Sequence, residues 1–553
     1  MTTAVMIVGA TGSFGGRLLD QLIGLGFRHF ILAGRDEGKA QVVIDCLRAK
    51  AITALFVRFD RTAPDLAVLK NLAPFVVVDA AGPFQHCALA LAEAAIAAKA
   101  HYIDLADARD FVARIPTLDA AAKRAGVAVI TGASSTPALS HAVLDQFAKD
   151  WRRIDKIKVA IAPGNRAARG LSVVKAILSY VGAPVLVFRE GAFQPVPGWG
   201  LNERIEIQGV GKRQVAICDT PDLDLLVSRY QPGLSAEFKA GLELGVMHHT
   251  LRAFSWLRQR KLLPGLVPLG PFLLRLANWL EPFGTDRGGM LVEVQGLDEQ
   301  GAPNSLRWSL AAGSGLGPNV PALPAAILIR KLEEQSHGAY AAAGLLRYAD
   351  ILPFFAQIGI TTKVSRMALP HAQVFERALG AGWALLPPTT RHIHAAIPAT
   401  VWRGHADVRG AQSLVGRAVA KLFSFPVTAE KVPVRVAIES DGQRELWARS
   451  YPTRTMRSVM KNPDPLRQTV DEHFGPYRFR LRLVASSQGI DMHAERVFLG
   501  PLPLPKWCLP KIVATERVNA CGEHVFDVQI SLWPLGLLVH YQGNLAPIAC
   551  PLP

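Results

Sequence analysis

The apolar run Val5-Met6-Ile7-Val8 leads directly into Gly9-Ala10-Thr11-Gly12-Ser13-Phe14-Gly15, and Leu18, Leu19 and Leu22 then recur at helical spacing. A buried strand, a glycine turn and the opening of a helix constrain the fold more than any other feature of the chain. Gly9 lets the chain turn sharply out of the strand. Gly12 lets backbone N–H groups approach a pyrophosphate, and Gly15 lets helix and strand pack closely. The positive end of the helix then faces the anion.

A glycine triad alone can be a purely structural turn, so the residues that follow decide. A second apolar strand, Phe30-Ile31-Leu32-Ala33, ends in Gly34-Arg35-Asp36. An NAD site places an acid at this strand end, whereas Arg35 offers a guanidinium suited to the 2′-phosphate of NADP. NADP(H) is therefore favoured over NAD(H), with Asp36 as the opposing signal. Further apolar strands follow at 55–59, 75–79, 101–104 and 127–130, separated by alanine-rich helical stretches such as 89–99. This alternation indicates a parallel sheet covered on both faces, an α/β unit of Rossmann type over residues 1–132.

After residue 132 the rhythm changes. A strand at 156–162, a helix at 171–181, a strand at 185–189, a hairpin around Asp298-Glu299-Gln300-Gly301 and a helix at 322–334 predict an α+β domain for substrate or dimerisation over 133–345. From 367 to 553 the chain is rich in short strands. Arg478-Phe479-Arg480-Leu481-Arg482-Leu483 alternates with period two, arginines on one face and apolar residues on the other, so this third unit is mostly β, a curved sheet or barrel. The arginine stripe reads as a solvated face or, less readily, an anion site.

Composition limits the function classes. The net charge of +16 is scattered rather than clustered, and no nucleic-acid-binding signature accompanies it, so nucleic acid is not expected as a partner. The six cysteines are far apart and form no C-x-x-C pair, as in a reducing compartment. With no room for a signal peptide ahead of the first strand, a cytoplasmic location is expected. The uncharged run Leu262 to Leu274 spans 13 residues and is interrupted by three prolines, too short to cross a bilayer. The segment 252–283 either packs in an interface, such as that of a homodimer, or lies on the inner membrane surface with Phe272, Leu273 and Trp279 inserted and basic residues facing headgroups. His248-His249 and His392-Ile393-His394 lack supporting ligands at metal-binding spacing, so no metal is expected.

The glycine turn, Ala33-Gly34-Arg35, Asp79-Ala80-Ala81-Gly82-Pro83-Phe84, His101-Tyr102-Ile103-Asp104 and Ser135-Thr136-Pro137-Ala138-Leu139 together resemble the saccharopine dehydrogenase family. Gly284 to Met290 and Gly315 to Pro318 look like landmarks of its second domain. Residues from about 370, including Trp402-Arg403-Gly404, Glu445 to Arg449 and His540-Tyr541-Gln542-Gly543, resemble a bacterial C-terminal domain of unknown function. The first resemblance implies an NADP(H)-dependent oxidoreductase acting on a small carbonyl, imine or amino-acid-like substrate. In it the pyrophosphate lies against the backbone of Thr11, Gly12, Ser13 and Phe14, and Arg35 holds the 2′-phosphate. Asp60 either reaches the adenine amine or merely caps its strand end, and Ala80, Ala81, Gly82 and Pro83 border the nicotinamide ribose. The group that moves the proton is not assigned. Ser134, Ser135 and Thr136 read more readily as helix caps than as substrate contacts, and Arg166 and Arg169 are available to meet carboxylates. The competing expectation is a non-catalytic nucleotide sensor or membrane-associated scaffold.

Overall fold

The computed structural model describes residues 4–167, 170–370, 373–395 and 398–547; Arg169 and Cys550 fall outside these. The first sheet contains β1 (Val5–Val8), β2 (His29–Gly34), β3 (Thr53–Arg58), β4 (Val76–Asp79), β5 (His101–Asp104) and β6 (Ala128–Thr131). All pair in parallel, and their order reverses at the boundary between β1 and β4. Every residue of β1, β4 and β6 is buried, because helices cover both faces of the sheet.

The sheet has a seventh strand. Gly338–Ala341 lies within the chain segment expected to build the second domain, yet it pairs in parallel with β6. The preceding helix, Asn319–Arg330, packs on α1 (Ser13–Gly24), where the Gln21 amide donates to the Asn319 carbonyl at 3.0 Å. The chain thus leaves the first unit, builds the second, and returns to complete the first. No local pattern encodes such a return, because a strand's partner is set by burial rather than by its neighbours in sequence.

The second unit is a nine-stranded mixed sheet. Its expected elements appear as the strand Arg153–Ala162, the helix Leu171–Tyr180 and the hairpin of Gly288–Leu297 with Pro303–Ala312. One continuous apolar cluster runs from Val5 and Leu32 through Leu139 and Val159 to Trp308 and Phe355, so the first two units share a core.

The third unit is a closed antiparallel barrel. Ten strands, from Ala399–Gly410 to Gly536–Pro547, pair in a ring that closes where Tyr477–Ser486 meets Gly489–Leu499. The alternation at 478–483 is met: Phe479, Leu481 and Leu483 are buried inside, while Arg478 and Arg480 stand outside and pair with Asp471 at 3.2 and 3.1 Å. The two guanidiniums share the one carboxylate and Arg482 is exposed beside them, so the stripe is a partly paired, solvated face. The barrel touches the second unit through Lys156 with Glu439, Arg457 with Glu190 at 2.8 Å, and the apolar group Leu234, Ala399 and Val401.

Candidate dinucleotide cleft

Gly9 adopts φ +84°, in the left-handed region that suits glycine, and a Cβ there would sit 2.9 Å from the Ala81 Cβ. At Gly15 a Cβ would lie 2.2 Å from the Gly9 carbonyl oxygen, which no shift of a side chain can relieve. The two glycines therefore let α1 begin hard against β1 and against the turn that follows β4. The Gly12 N–H is held by the Gly9 carbonyl at 2.9 Å, and no side chain caps the start of α1. The amides of Ser13, Phe14 and Gly15 belong to the first turn, which has no partners within a helix. An uncapped helix start behind a glycine turn is an anion cradle, and it fits a dinucleotide pyrophosphate.

At the end of β2 the two charged neighbours divide their tasks. Asp36 accepts from the Lys39 N–H at 3.1 Å and pairs with the Lys39 ammonium at 2.9 Å, capping α2 (Glu37–Arg48). Arg35 is exposed, and among the described residues no hydrogen bond or ion pair engages it. Asp60 accepts from the Thr62 N–H at 2.9 Å and from its hydroxyl at 2.7 Å, and these bonds hold its carboxyl below the usual range, with the Arg35 charge adding to them. Asp60 therefore closes its own turn, the local role weighed against an adenine contact.

Arg61 was not singled out by the sequence. It pairs with Asp79 at 3.0 Å, donates to the carbonyls of Ala81 and Pro83, and lies over the Phe84 ring at 4.6 Å. Asp79 also accepts from the Ala81 N–H at 3.1 Å, so the turn Ala80–Pro83 is held by a buried carboxylate and a guanidinium. Burial raises the Asp79 carboxyl, opposed by the Arg61 charge. Across the cleft the Ser172 hydroxyl, on the first turn of the helix Leu171–Tyr180, donates to the Gly82 carbonyl at 3.0 Å. The second unit thus rests on the turn expected to border the nicotinamide ribose.

Beyond that turn, the Gln85 amide donates to Asp107 at 3.4 Å. Asp107 is reached by solvent but crowded by protein, and that crowding raises its carboxyl above the usual value. Opposite, the hydroxyl of Tyr180 and the thiol of Cys218 lie 2.8 Å apart and feel the charges of Asp107 and Asp219. Arg109 ties the walls together, pairing with Asp224 and with Asp219 at 3.4 Å and donating to the Leu186 carbonyl at 2.8 Å. Sequence could not find this group, because its members come from positions 85, 107, 180 and 218 and share no local motif.

Other expected residues sit differently. Ser134, Ser135 and Thr136 are buried, and Ser134 makes no side-chain cap, so capping does not account for them. Arg166 donates to the Pro282 carbonyl at 3.0 Å. His248 meets the Asn202 side chain at 2.6 Å, and His394 meets Glu516 at 2.7 Å.

With this geometry in place, two family matches can be set against it. Residues 5–130 match the Saccharopine dehydrogenase NADP binding domain, and residues 386–545 match a Domain of unknown function (DUF4166). The chain fuses these two modules. Saccharopine dehydrogenase (L-Glu forming) from Saccharomyces cerevisiae is similar over 66% of this chain and 100% of its own, at 14% identity and TM-score 0.48. A probable dehydrogenase from Thermotoga maritima covers 66% of this chain and 98% of its own, at 10% identity and TM-score 0.34. A dehydrogenase from Clostridium difficile covers 65% and 98%, at 9% identity and TM-score 0.30. No curated protein matches the sequence. The saccharopine dehydrogenase-like Rossmann module makes the fusion protein an oxidoreductase in the broad sense.

Proposed function

We propose that the fusion protein is an NADP(H)-dependent oxidoreductase that acts on a small carbonyl, imine or amino-acid-like substrate held between its first two units. One observation carries this: the uncapped start of α1, cradled by Gly9, Gly12 and Gly15, opens beside Arg35, which no hydrogen bond or ion pair engages among the described residues. When bound, the nicotinamide supplies hydride chemistry, and the protein supplies orientation and a proton path. The amides from Thr11 to Phe14 bind the pyrophosphate, while Arg35 pairs with the 2′-phosphate because Asp36 is spent on its own helix. The turn Ala80–Pro83, fixed by Arg61 and Ser172, holds the ribose in place. Asp107, with its raised carboxyl, retains a proton more readily than an ordinary aspartate and stands on the wall of the cleft.

Calorimetric titration with NADPH and NADH tests the proposal. NADPH is expected to bind more tightly, and Arg35→Ala is expected to weaken NADPH by about tenfold or more, the worth of a charge-assisted contact, while leaving NADH unchanged. Absent or equal affinity for both coenzymes removes the foundation.

A second reading concerns the membrane surface. Leu262, Phe272, Trp279 and Phe283 are each more than 60% exposed, on and around the helix Gly270–Trp279. No helix is long and apolar enough to cross a membrane among the described residues. Arg258 donates to the carbonyls of Ser179 and Val181, and is spent inside the protein rather than on headgroups. Arg252, Arg260, Lys261 and Arg275 are exposed and remain for that role. Flotation with anionic vesicles, compared with Phe272→Ser/Trp279→Ser, distinguishes a membrane-contacting face from one covered by a second copy.

A further inference from the structure

The barrel encloses a cavity of about 380 Å³. Interior voids larger than a water molecule are few in a packed domain, and this volume falls in the range of sites that hold small molecules. Eight strands already leave room for one small ligand, and this ring has ten.

The two ends of the barrel differ. One is plugged by the short helices Val374–Leu379 and Pro388–His394, where the Phe375 ring lies tilted against His394 with centroids 4.0 Å apart and His394 meets Glu516. The other is covered by the helix Leu414–Leu422 and by the strand-connecting turns. Its rim is apolar and open: Leu422, Trp507 and Trp533 line the cavity yet are 66%, 68% and 77% exposed. Between rim and plug the wall is made of Phe, Met, Leu and Val side chains.

Seven polar side chains interrupt that wall, Arg449, Tyr451, Glu472, Tyr477, Glu516, His524 and Tyr541, with the Glu472 carboxylate answered by Arg449 and that of Glu516 by His394 and His524. Arg449 donates to the Ser458 hydroxyl at 3.0 Å and meets Glu472 at 3.5 Å, with its guanidinium over the Trp447 ring at 4.8 Å. A guanidinium has five N–H donors, so these partners leave some unspent. Tyr451 and Tyr541 are more than nine-tenths buried, their rings 6.3 Å apart, and both line the cavity. Among the described residues no hydrogen bond engages either hydroxyl. Both oxygens open onto the cavity rather than being sealed in the wall, so each hydroxyl is available to whatever fills it.

We infer that the barrel binds a single-chain lipid with a carboxyl head, a fatty acid, its head against Arg449, Tyr451 and Tyr541 and its chain running along the apolar wall toward Trp507 and Trp533. A tube with donors deep inside and an apolar mouth selects a molecule of that polarity. It does not suit a nucleotide, whose charges would meet Phe and Met side chains. The site is separate from the dinucleotide cleft and does not depend on the reading of that cleft.

Titration of the full chain with cis-parinaric acid, followed by its fluorescence, tests the inference. Saturable one-to-one binding is expected, displaced by oleate and unchanged by Arg35→Ala. Ala514→Trp fills the cavity from a buried wall position and is expected to abolish the signal. Tyr451→Phe/Tyr541→Phe keeps the packing and is expected to cut the preference for oleate over its methyl ester by about fivefold or more, the worth of one or two hydrogen bonds. No binding overturns the inference. So does binding that survives Ala514→Trp in a folded protein, or a head-group preference untouched by the double tyrosine variant.

Discussion

Arg61 shows how one residue can govern a site that it does not enter. Its side chain is 13% exposed and that of Asp79 1% exposed, so the pair is almost dry, and removing one partner strands the other. Arg61→Ala is expected to cost about 3–5 kcal/mol in chemical denaturation and to loosen the Ala80–Pro83 turn. Adding Asp79→Asn is expected to recover part of that loss, because the stranded charge disappears. Asp104 carries a pH dependence. It accepts from the amides of Ala106 and Gly132 at 2.9 and 2.8 Å and from the Thr131 hydroxyl at 2.9 Å, yet burial dominates and raises its carboxyl from 3.8 to about 7. A carboxyl raised by folding holds its proton longer in the native state. The stability it permits is complete below its unfolded value of 3.8, falls as pH rises, and levels off above about 7. Asp104→Asn is expected to flatten that part of a melting-temperature profile against pH; an unchanged slope contradicts the assignment.

The first helix tests the cradle at the scale of an element. Gly15→Ala places a methyl group 2.2 Å from the Gly9 carbonyl oxygen, so α1 must move away from β1. The expected cost is about 1–3 kcal/mol of stability, as for overpacking elsewhere, with dinucleotide affinity falling together with it in calorimetry. A variant that is destabilised but binds normally would separate packing from binding. This element was fully legible in the sequence, because Gly9, Gly12 and Gly15 each answer a local steric demand. The alternation at 478–483 was legible for the same reason. Barrel closure was not: the hairpin of Tyr477–Ser486 with Gly489–Leu499 is local, but the ring also needs Ala399–Gly410 to pair with Gly536–Pro547 at the far end of the unit. The same limit hid Arg61, whose partner at Asp79 lies across the sheet, and the cleft group of Gln85, Asp107, Tyr180 and Cys218. Capping by Ser134 was a reasonable local expectation, but the residue is buried and its side chain caps no helix.

At the scale of the molecule, the distribution of core predicts how the protein comes apart. The first two units share one apolar cluster and are further joined by Arg109 to Asp219 and Asp224, so they unfold together. The barrel has its own core, built around Trp402, Met456, Leu481 and Val539, and reaches the second unit mainly through ion pairs and a small apolar group. Scanning calorimetry is therefore expected to resolve two transitions. A ligand that binds only the native form of one unit stabilises that unit by about 2.7 kcal/mol at a hundred times its Kd. NADPH is expected to raise the transition of the first two units alone, and cis-parinaric acid that of the barrel alone. A single transition moved by both ligands would mean that the ion pairs of Glu190 and Glu439 couple the barrel to the cleft. In that case Arg457→Ala together with Glu439→Gln, which breaks both contacts, is expected to split the transition in two, because the barrel would lose the ion pairs that tie it to the second sheet.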